Sequence, residues 1–147
     1  MTVPDQLVVC ALGAEQYGLP IGQVREIVRY VEPRYVAADD DGVRGVIGLR
    51  GRLLPVHDLG MRLGLPATAA SAVPPATAKI VVVEAGDELA GLLVDDVVEV
   101  ATITAEQVEE VPAASAGGRA ARVAKLGERL VLLVDAAELL DLADAPA

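Results

Sequence analysis

Lys79-Ile80-Val81-Val82-Val83-Glu84-Ala85-Gly86-Asp87-Glu88-Leu89-Ala90-Gly91-Leu92-Leu93-Val94 decides the fold, because the chain has already spelled this stretch once. The earlier copy is Gln6-Leu7-Val8-Val9-Cys10-Ala11-Leu12-Gly13-Ala14-Glu15-Gln16-Tyr17-Gly18-Leu19-Pro20-Ile21. The copies lie 73 residues apart, so Gly13 meets Gly86, Glu15 meets Glu88 and Gly18 meets Gly91. The register continues without a gap, and Val24, Glu26 and Ile27 meet Val97, Glu99 and Val100. After an insertion the match resumes at a spacing of 77 residues. Val46, Leu49, Arg52 and Leu53 then meet Val123, Leu126, Arg129 and Leu130, Asp58 meets Asp135, and Leu63 meets Leu140. Chance aligns apolar residues easily in a Val-rich chain. It less readily aligns glycines and acids in the same order. The chain therefore reads as two similar halves, residues 6–65 and 79–142, joined by an Ala/Pro/Ser/Thr-rich linker at 66–78.

Each half reads as mostly β. Residues 7–12 and 80–84 are Val-rich runs of strand length. Gly13 and Gly86 open short turns, where glycine supplies a positive φ. The next strands enter through Gly18 and Gly91, and residues 24–31 and 97–103 follow as extended segments. Residues 46–49 and 53–57 form a hairpin around Arg50-Gly51, repeated by 123–126 and 130–134 around Gly127-Glu128. Short helices are expected over 58–63 and 135–142, capped by Asp58 and Asp135. About five strands per half suit a small barrel, since closing the sheet removes its exposed edges. A barrel of that size buries little alone. The two should therefore pack face to face over a shared Val/Leu layer.

The composition narrows the function. The 147 residues suit one domain or two very small ones. Hydrophobic residues make up 53%, yet there are three Tyr, no Phe and no Trp, so the core is built from Val, Leu, Ile and Ala. A net charge of −10 repels polyanions and argues against nucleic-acid binding and against an anionic membrane surface. No apolar run reaches the roughly 18 to 20 residues of a membrane-spanning helix. The N-terminus lacks the basic start of a signal peptide. The expected compartment is the cytoplasm.

One Cys and one His cannot assemble a zinc site of N and S ligands alone. Cys10 lies inside an apolar strand and reads as a buried structural thiol rather than a nucleophile. Ser71 and Ser115 fall in linker and loop segments. His57 sits beside Asp58, but adjacent strand residues point to opposite faces, which argues against a catalytic pair. Asp39-Asp40-Asp41-Gly42 invites a calcium-loop reading. Placing Gly42 at loop position 6 puts Ala37 and Gly48 where ligands are required, so a solvated acidic turn is expected. Residues 113–118 read as a surface loop, and Glu109-Glu110 as a solvated face. No phosphate-binding glycine motif is present. No cofactor and no metal are expected, and an interaction module is favoured over an enzyme.

Several motifs then resemble the CheW family. Tyr17-Gly18-Leu19-Pro20-Ile21, Val24-Arg25-Glu26-Ile27, Gly45-Val46-Ile47-Gly48-Leu49-Arg50-Gly51 and Leu54-Pro55-Val56-His57-Asp58-Leu59 are similar to its first half. Gly91-Leu92-Leu93-Val94-Asp95-Asp96-Val97 and Leu130-Val131-Leu132-Leu133-Val134-Asp135 are similar to its second. The resemblance covers residues 6 to 142. It implies two five-stranded SH3-like barrels on a hydrophobic interface and a non-catalytic adaptor. Such an adaptor couples the cytoplasmic tip of chemoreceptors to the regulatory domain of a CheA-type histidine kinase. By the same resemblance, Val24, Glu26, Ile27, Arg50 and Gly51 are partner-binding positions. Glu26 and Arg50 are expected to pair across neighbouring strands. Two positions depart from the family: Gly48 stands where an Asn usually precedes the L-R-G segment, and Arg122 stands where a Gly is usual. A stand-alone adaptor is the leading expectation. A CheW-like regulatory domain of a larger kinase or receiver fusion, a purely structural barrel, and an enzyme using His57 are the alternatives.

Overall fold

The computed structural model describes residues 5–34, 43–63, 74–112 and 121–144. The acidic turn at 39–42, Ser71, Ser115 and the loop at 113–118 lie outside them, as does most of the 66–78 linker. In chain order the elements are β1 (Gln6–Leu12), β2 (Glu15–Pro20), β3 (Val24–Arg29), β4 (Val43–Leu49), β5 (Arg52–Asp58) and α1 (Leu59–Arg62). Then follow β6 (Lys79–Ala85), β7 (Glu88–Val94), β8 (Asp96–Thr102), β9 (Val108–Val111), β10 (Ala121–Leu126), β11 (Arg129–Leu133) and α2 (Ala136–Asp144). The mainly β expectation holds, and both hairpin turns form where the repeat placed them.

The strands make two sheets. One runs β8-β1-β2-β11-β10-β9 and the other β3-β6-β7-β5-β4. In the first, edge strands β8 and β9 are consecutive in the chain, with only residues 103–107 between them. A flat six-stranded sheet would hold its edges roughly 24 Å apart. Five residues that include a helical turn, Ala105–Gln107, fall short of that span, so the sheet must curl. The second sheet closes directly. Just past β3, the Arg34 N–H donates to the Val46 carbonyl of β4 at 2.9 Å, and the Val46 N–H returns the bond at 3.0 Å.

The sequence halves are not the barrels, and the expectation that residues 6–65 and 79–142 each form one is corrected here. Hairpin β1–β2 belongs to the sheet of β8–β11, and hairpin β6–β7 belongs to the sheet of β3–β5. Two parallel pairings carry the exchange. β11 pairs β2 with Leu133 opposite Gly18, and β5 pairs β7 with Val56 opposite Gly91. These are the same pairing in the two copies of the repeat, so each half lends its first hairpin to the other. The linker expectation also stops short. Ala78 is buried, its carbonyl accepts from Tyr30 N–H at 3.3 Å, and Thr77 Oγ1 donates to the Asp95 carbonyl at 2.7 Å.

Three apolar clusters follow from this arrangement. Leu7, Val9, Ala101, Ile103, Ala124 and Val131 fill the six-stranded barrel. Ile47, Leu54, Val56, Ile80, Val82 and Leu93 fill the five-stranded one. Between the barrels lies a central layer that includes Val8, Cys10, Leu12, Val81, Val83 and Leu92. The alternation of a strand therefore sends Leu7 and Val9 into a barrel and Val8 and Cys10 into the layer. The same holds for Ile80 and Val82 against Val81 and Val83. A strand buried on both faces must be apolar at successive positions. That is why residues 7–12 and 80–83 are unbroken apolar runs.

Both helices start as expected. Asp58 accepts from the Met61 N–H at 3.1 Å. Asp135 accepts from the Ala137 and Glu138 N–H groups at 2.8 and 3.3 Å. Each supplies an acceptor to a first-turn donor that has no partner within the helix. Ala136, Leu139 and Leu140 of α2 pack onto the central layer.

Candidate functional site

The site expected at Glu26 and Arg50 is assembled from two distant segments. Glu26 sits on β3 just after a β-bulge. Val24 opposes Val83 and Glu26 opposes Val82, which leaves Arg25 as the extra residue. A bulge re-aims the side chains beside it. Arg50 sits at the tip of the β4–β5 hairpin with φ 52, followed by Gly51 with φ 79. Two successive positive φ values suit the twist of a two-residue hairpin. They are easy for Gly51, but Arg50 is in a region that side-chain-bearing residues seldom adopt. Its repeat counterpart, Gly127, has φ 64 without that strain.

The guanidinium of Arg50 grips the carboxylate of Glu26 with both arms. Nε donates to Oε2 at 3.0 Å and Nη2 donates to Oε1 at 3.2 Å. This fork-to-fork geometry is the strong, orienting form of a charge-assisted pair. The hydrogen bond from Arg50 holds the Glu26 carboxyl below its ordinary range, aided by the charges of Arg50 and Arg25. The Arg50 guanidinium is raised by the same bond. The pair is exposed to solvent. It therefore orients groups at the surface more than it stabilises the fold.

The expected pair forms, but β3 and β4 are not neighbours in the strand order. β3 and β4 lie at opposite edges of the five-stranded sheet. The ion pair spans the seam where that sheet closes, near the Arg34–Val46 bridge. The other expected positions divide. Ile27 points out and is 39% exposed, as a contact residue must be. Val24 is half-buried and packs against the central layer. Gly51 and Gly48 both face open space. Arg122 lies on β10 opposite Glu110 of the edge strand β9.

A second pair was missed by sequence reasoning. Arg129 Nη1 meets Glu99 Oε2 at 2.8 Å on the other barrel. Glu99 is the repeat counterpart of Glu26, and it too follows a bulge, here at Val98. The signal was present in the alignment of Glu26 with Glu99 and of Arg52 with Arg129. It was obscured because the arginine has moved two positions along the hairpin. Each hairpin also presents a leucine to solvent: Leu53 is 77% exposed and Leu130, its counterpart, 63%. Apolar side chains beside oriented charges are the make-up of a protein-recognition surface.

The residues considered for chemistry are engaged elsewhere. Cys10 is fully buried in the central layer, and burial, helped by the charge of Asp96, pushes its thiol up to about 12. A thiol so protonated is a poor nucleophile. His57 is buried, and the Arg62 guanidinium donates to its Nδ1 from Nε at 3.2 Å and Nη2 at 2.9 Å. Asp58 is buried too, but it caps α1 and faces Arg44 at 3.6 Å. The two neighbours thus serve different partners. Among the described residues no three His, Cys, Asp or Glu side chains are grouped to hold a metal ion, and no helix is long and apolar enough to cross a membrane.

Comparison with known proteins adds to this picture. A family model described as a CheW-like domain matches residues 6–144. The chain is 31% identical over 142 residues to the chemotaxis protein CheW of Klebsiella aerogenes, covering 95% of this chain and 83% of that one. It is 38% identical over 88 residues to the protein PilI of Pseudomonas aeruginosa, covering 58% of this chain and 46% of that one. Its structure is similar to the crystal structure of the scaffolding protein TtCheW from Thermoanaerobacter tengcongensis. There the TM-score is 0.79 and the identity 29%, covering 95% of this chain and 89% of that one.

Proposed function

The chain belongs to the CheW-like family, whose members act as scaffolds in chemotaxis signalling, and from that premise we propose that it is a non-catalytic adaptor coupling chemoreceptors to a CheA-type histidine kinase. The observation that carries this reading is the bidentate Glu26–Arg50 pair, which falls on the family's partner-binding segments. Arg50 itself keeps a backbone conformation that Gly127 adopts freely in the other barrel. Strain of this kind persists where function requires it. Glu26, Ile27, Arg50 and Gly51 form the partner-binding surface, with Val24 bracing β3 from behind. The cytoplasmic tip of the receptor lies in the groove between the barrels. The protein acts in the cytoplasm and reaches the membrane only through these partners. It works as one domain, because each barrel is completed by a hairpin from the other half. The engagement of Cys10, His57 and Asp58 in packing, capping and ion pairing supports a role without catalysis.

The test is a reconstituted assay of kinase activation with receptor and kinase. Arg50→Ala and Glu26→Ala should unfold at the parent temperature yet form the ternary complex with receptor and kinase roughly tenfold more weakly, as loss of a central contact does. Binding should also weaken as salt rises, because a chain of net charge −10 meets basic groups on its partner. Full kinase activation by both variants would sink the assignment of this surface.

A further inference from the structure

We propose that Gln23 is a positioning residue that latches the C-terminal helix α2 to β3, so that the helix and the recognition strand move as one unit. The parallel neighbours β2 and β11 end side by side, with the Val134 N–H donating to the Gly18 carbonyl at 2.8 Å. From that shared end β2 turns through Ile21–Gln23 into β3, while β11 runs into α2. Gln23 sits where the two paths part, and its side chain bridges them. Its Oε1 accepts from the Ala136 N–H at 2.9 Å, and its Nε2 donates to Asp135 Oδ1 at 3.3 Å.

The division of labour is chemical. A helix start leaves several N–H groups without a partner inside the helix. Asp135 serves those of Ala137 and Glu138, and Gln23 serves that of Ala136. Only a side chain that both donates and accepts can hold a carboxylate and an amide N–H at once, and the Gln amide does so. The repeat shows that the latch is specific to this position. The counterpart of Gln23 is Asp96, whose carboxylate turns back to the Val97 N–H at 2.8 Å instead of reaching Asp58. Gln23 adjoins Val24 and lies three residues before Glu26. Anything that shifts β3 at its recognition residues therefore pulls on the helix, and loss of the helix contact loosens β3.

Amide hydrogen exchange on the full chain, read by NMR, tests this in the absence of any partner. Gln23→Ala should speed exchange about three- to tenfold at Ala136, Ala137 and Glu138, the range expected for loss of one hydrogen bond. It should also speed exchange at Arg25, Glu26 and Ile27. Gln23→Glu keeps an acceptor for the Ala136 N–H but cannot donate to Asp135, so at neutral pH exchange at Ala136 should speed less than in the Ala variant. Faster exchange confined to the helix would reduce Gln23 to a local cap and overturn the proposal, as would unchanged exchange at both places. Since no partner is present, either outcome leaves the adaptor reading to its own test.

Discussion

Gly91→Ala should destabilise the protein more than its repeat counterpart Gly18→Ala, although both add a single methyl to the same place in two similar barrels. A Cβ on Gly91 would lie 2.7 Å from Ile80 Cγ2 and 3.5 Å from Val56 Cγ2. Ile80 and Val56 are fully buried. The Cγ2 methyl branches directly from Cβ, so it moves only if χ1 leaves its well. A Cβ on Gly18 would lie 2.9 Å from Leu7 Cδ1 and 3.1 Å from Val131 Cγ1. The Leu7 methyl is the far end of a longer side chain and can yield, and the stiffer Val131 methyl has to give by only a few tenths of an ångström. Overpacking costs about 1–3 kcal/mol, and the stiffer unfolded chain returns about 0.4–1 kcal/mol. The rigid contact places Gly91→Ala at a net loss of about 2 kcal/mol, and the yielding one places Gly18→Ala at about 0.5–1 kcal/mol. Urea unfolding at unchanged slope measures both, and melting temperatures should fall by roughly 2–4 °C per kcal/mol. Moving the branch off Cβ with Ile80→Leu should recover part of the loss in the double variant, with coupling of about 0.5 kcal/mol or more. A Gly91→Ala protein as stable as the parent would refute the claim that these glycines hold the barrels narrow.

Three further outcomes are expected. Gly45 has φ 145, and a Cβ there would strike the Arg34 carbonyl, so Gly45→Ala should break the seam bridge and cost about 2 kcal/mol or more by chemical denaturation. Val94 is 1% exposed in the central layer, so Val94→Asp should lose about 3–5 kcal/mol for an unpaired buried charge and abolish a cooperative melt followed by far-ultraviolet circular dichroism. Cys10 should resist a thiol reagent at pH 8 until the protein unfolds. Its thiol is raised from 9.0 to about 12 in the fold, so its contribution to stability is complete below pH 9 and is lost as pH rises from there toward 12. Rapid labelling of the native protein would contradict the placement of Cys10.

Much of this was legible from residues alone. The glycines and acids at constant spacing revealed the duplication. The Val-rich runs at 7–12 and 80–84 revealed strands, though not that both of their faces are buried, and Asp58 and Asp135 announced the helix starts. The absence of Phe and Trp agrees with barrels so narrow that Gly18 and Gly91 lack room for a methyl. Glu26 and Arg50 were found as a pair through motif resemblance, but not the reason they meet. Glu99 and Arg129 could have been found by carrying that pair through the repeat.

What the sequence determined, then, is the inventory: which segments are strands, where they turn, and which positions repeat. Which hairpin completes which barrel was decided only by the tertiary structure. The reason is symmetry. Val56 could lie against Gly18 of its own half or Gly91 of the other, and the local contacts would be nearly the same. A repeat cannot say which copy of a partner it chooses, because both copies offer the same glycine in the same strand. The exchange sets the sheet order, the sheet order places β3 and β4 at opposite edges, and barrel closure brings those edges together. The seam that holds Glu26 against Arg50 is thus a property of the closed barrel, and no local segment encodes it.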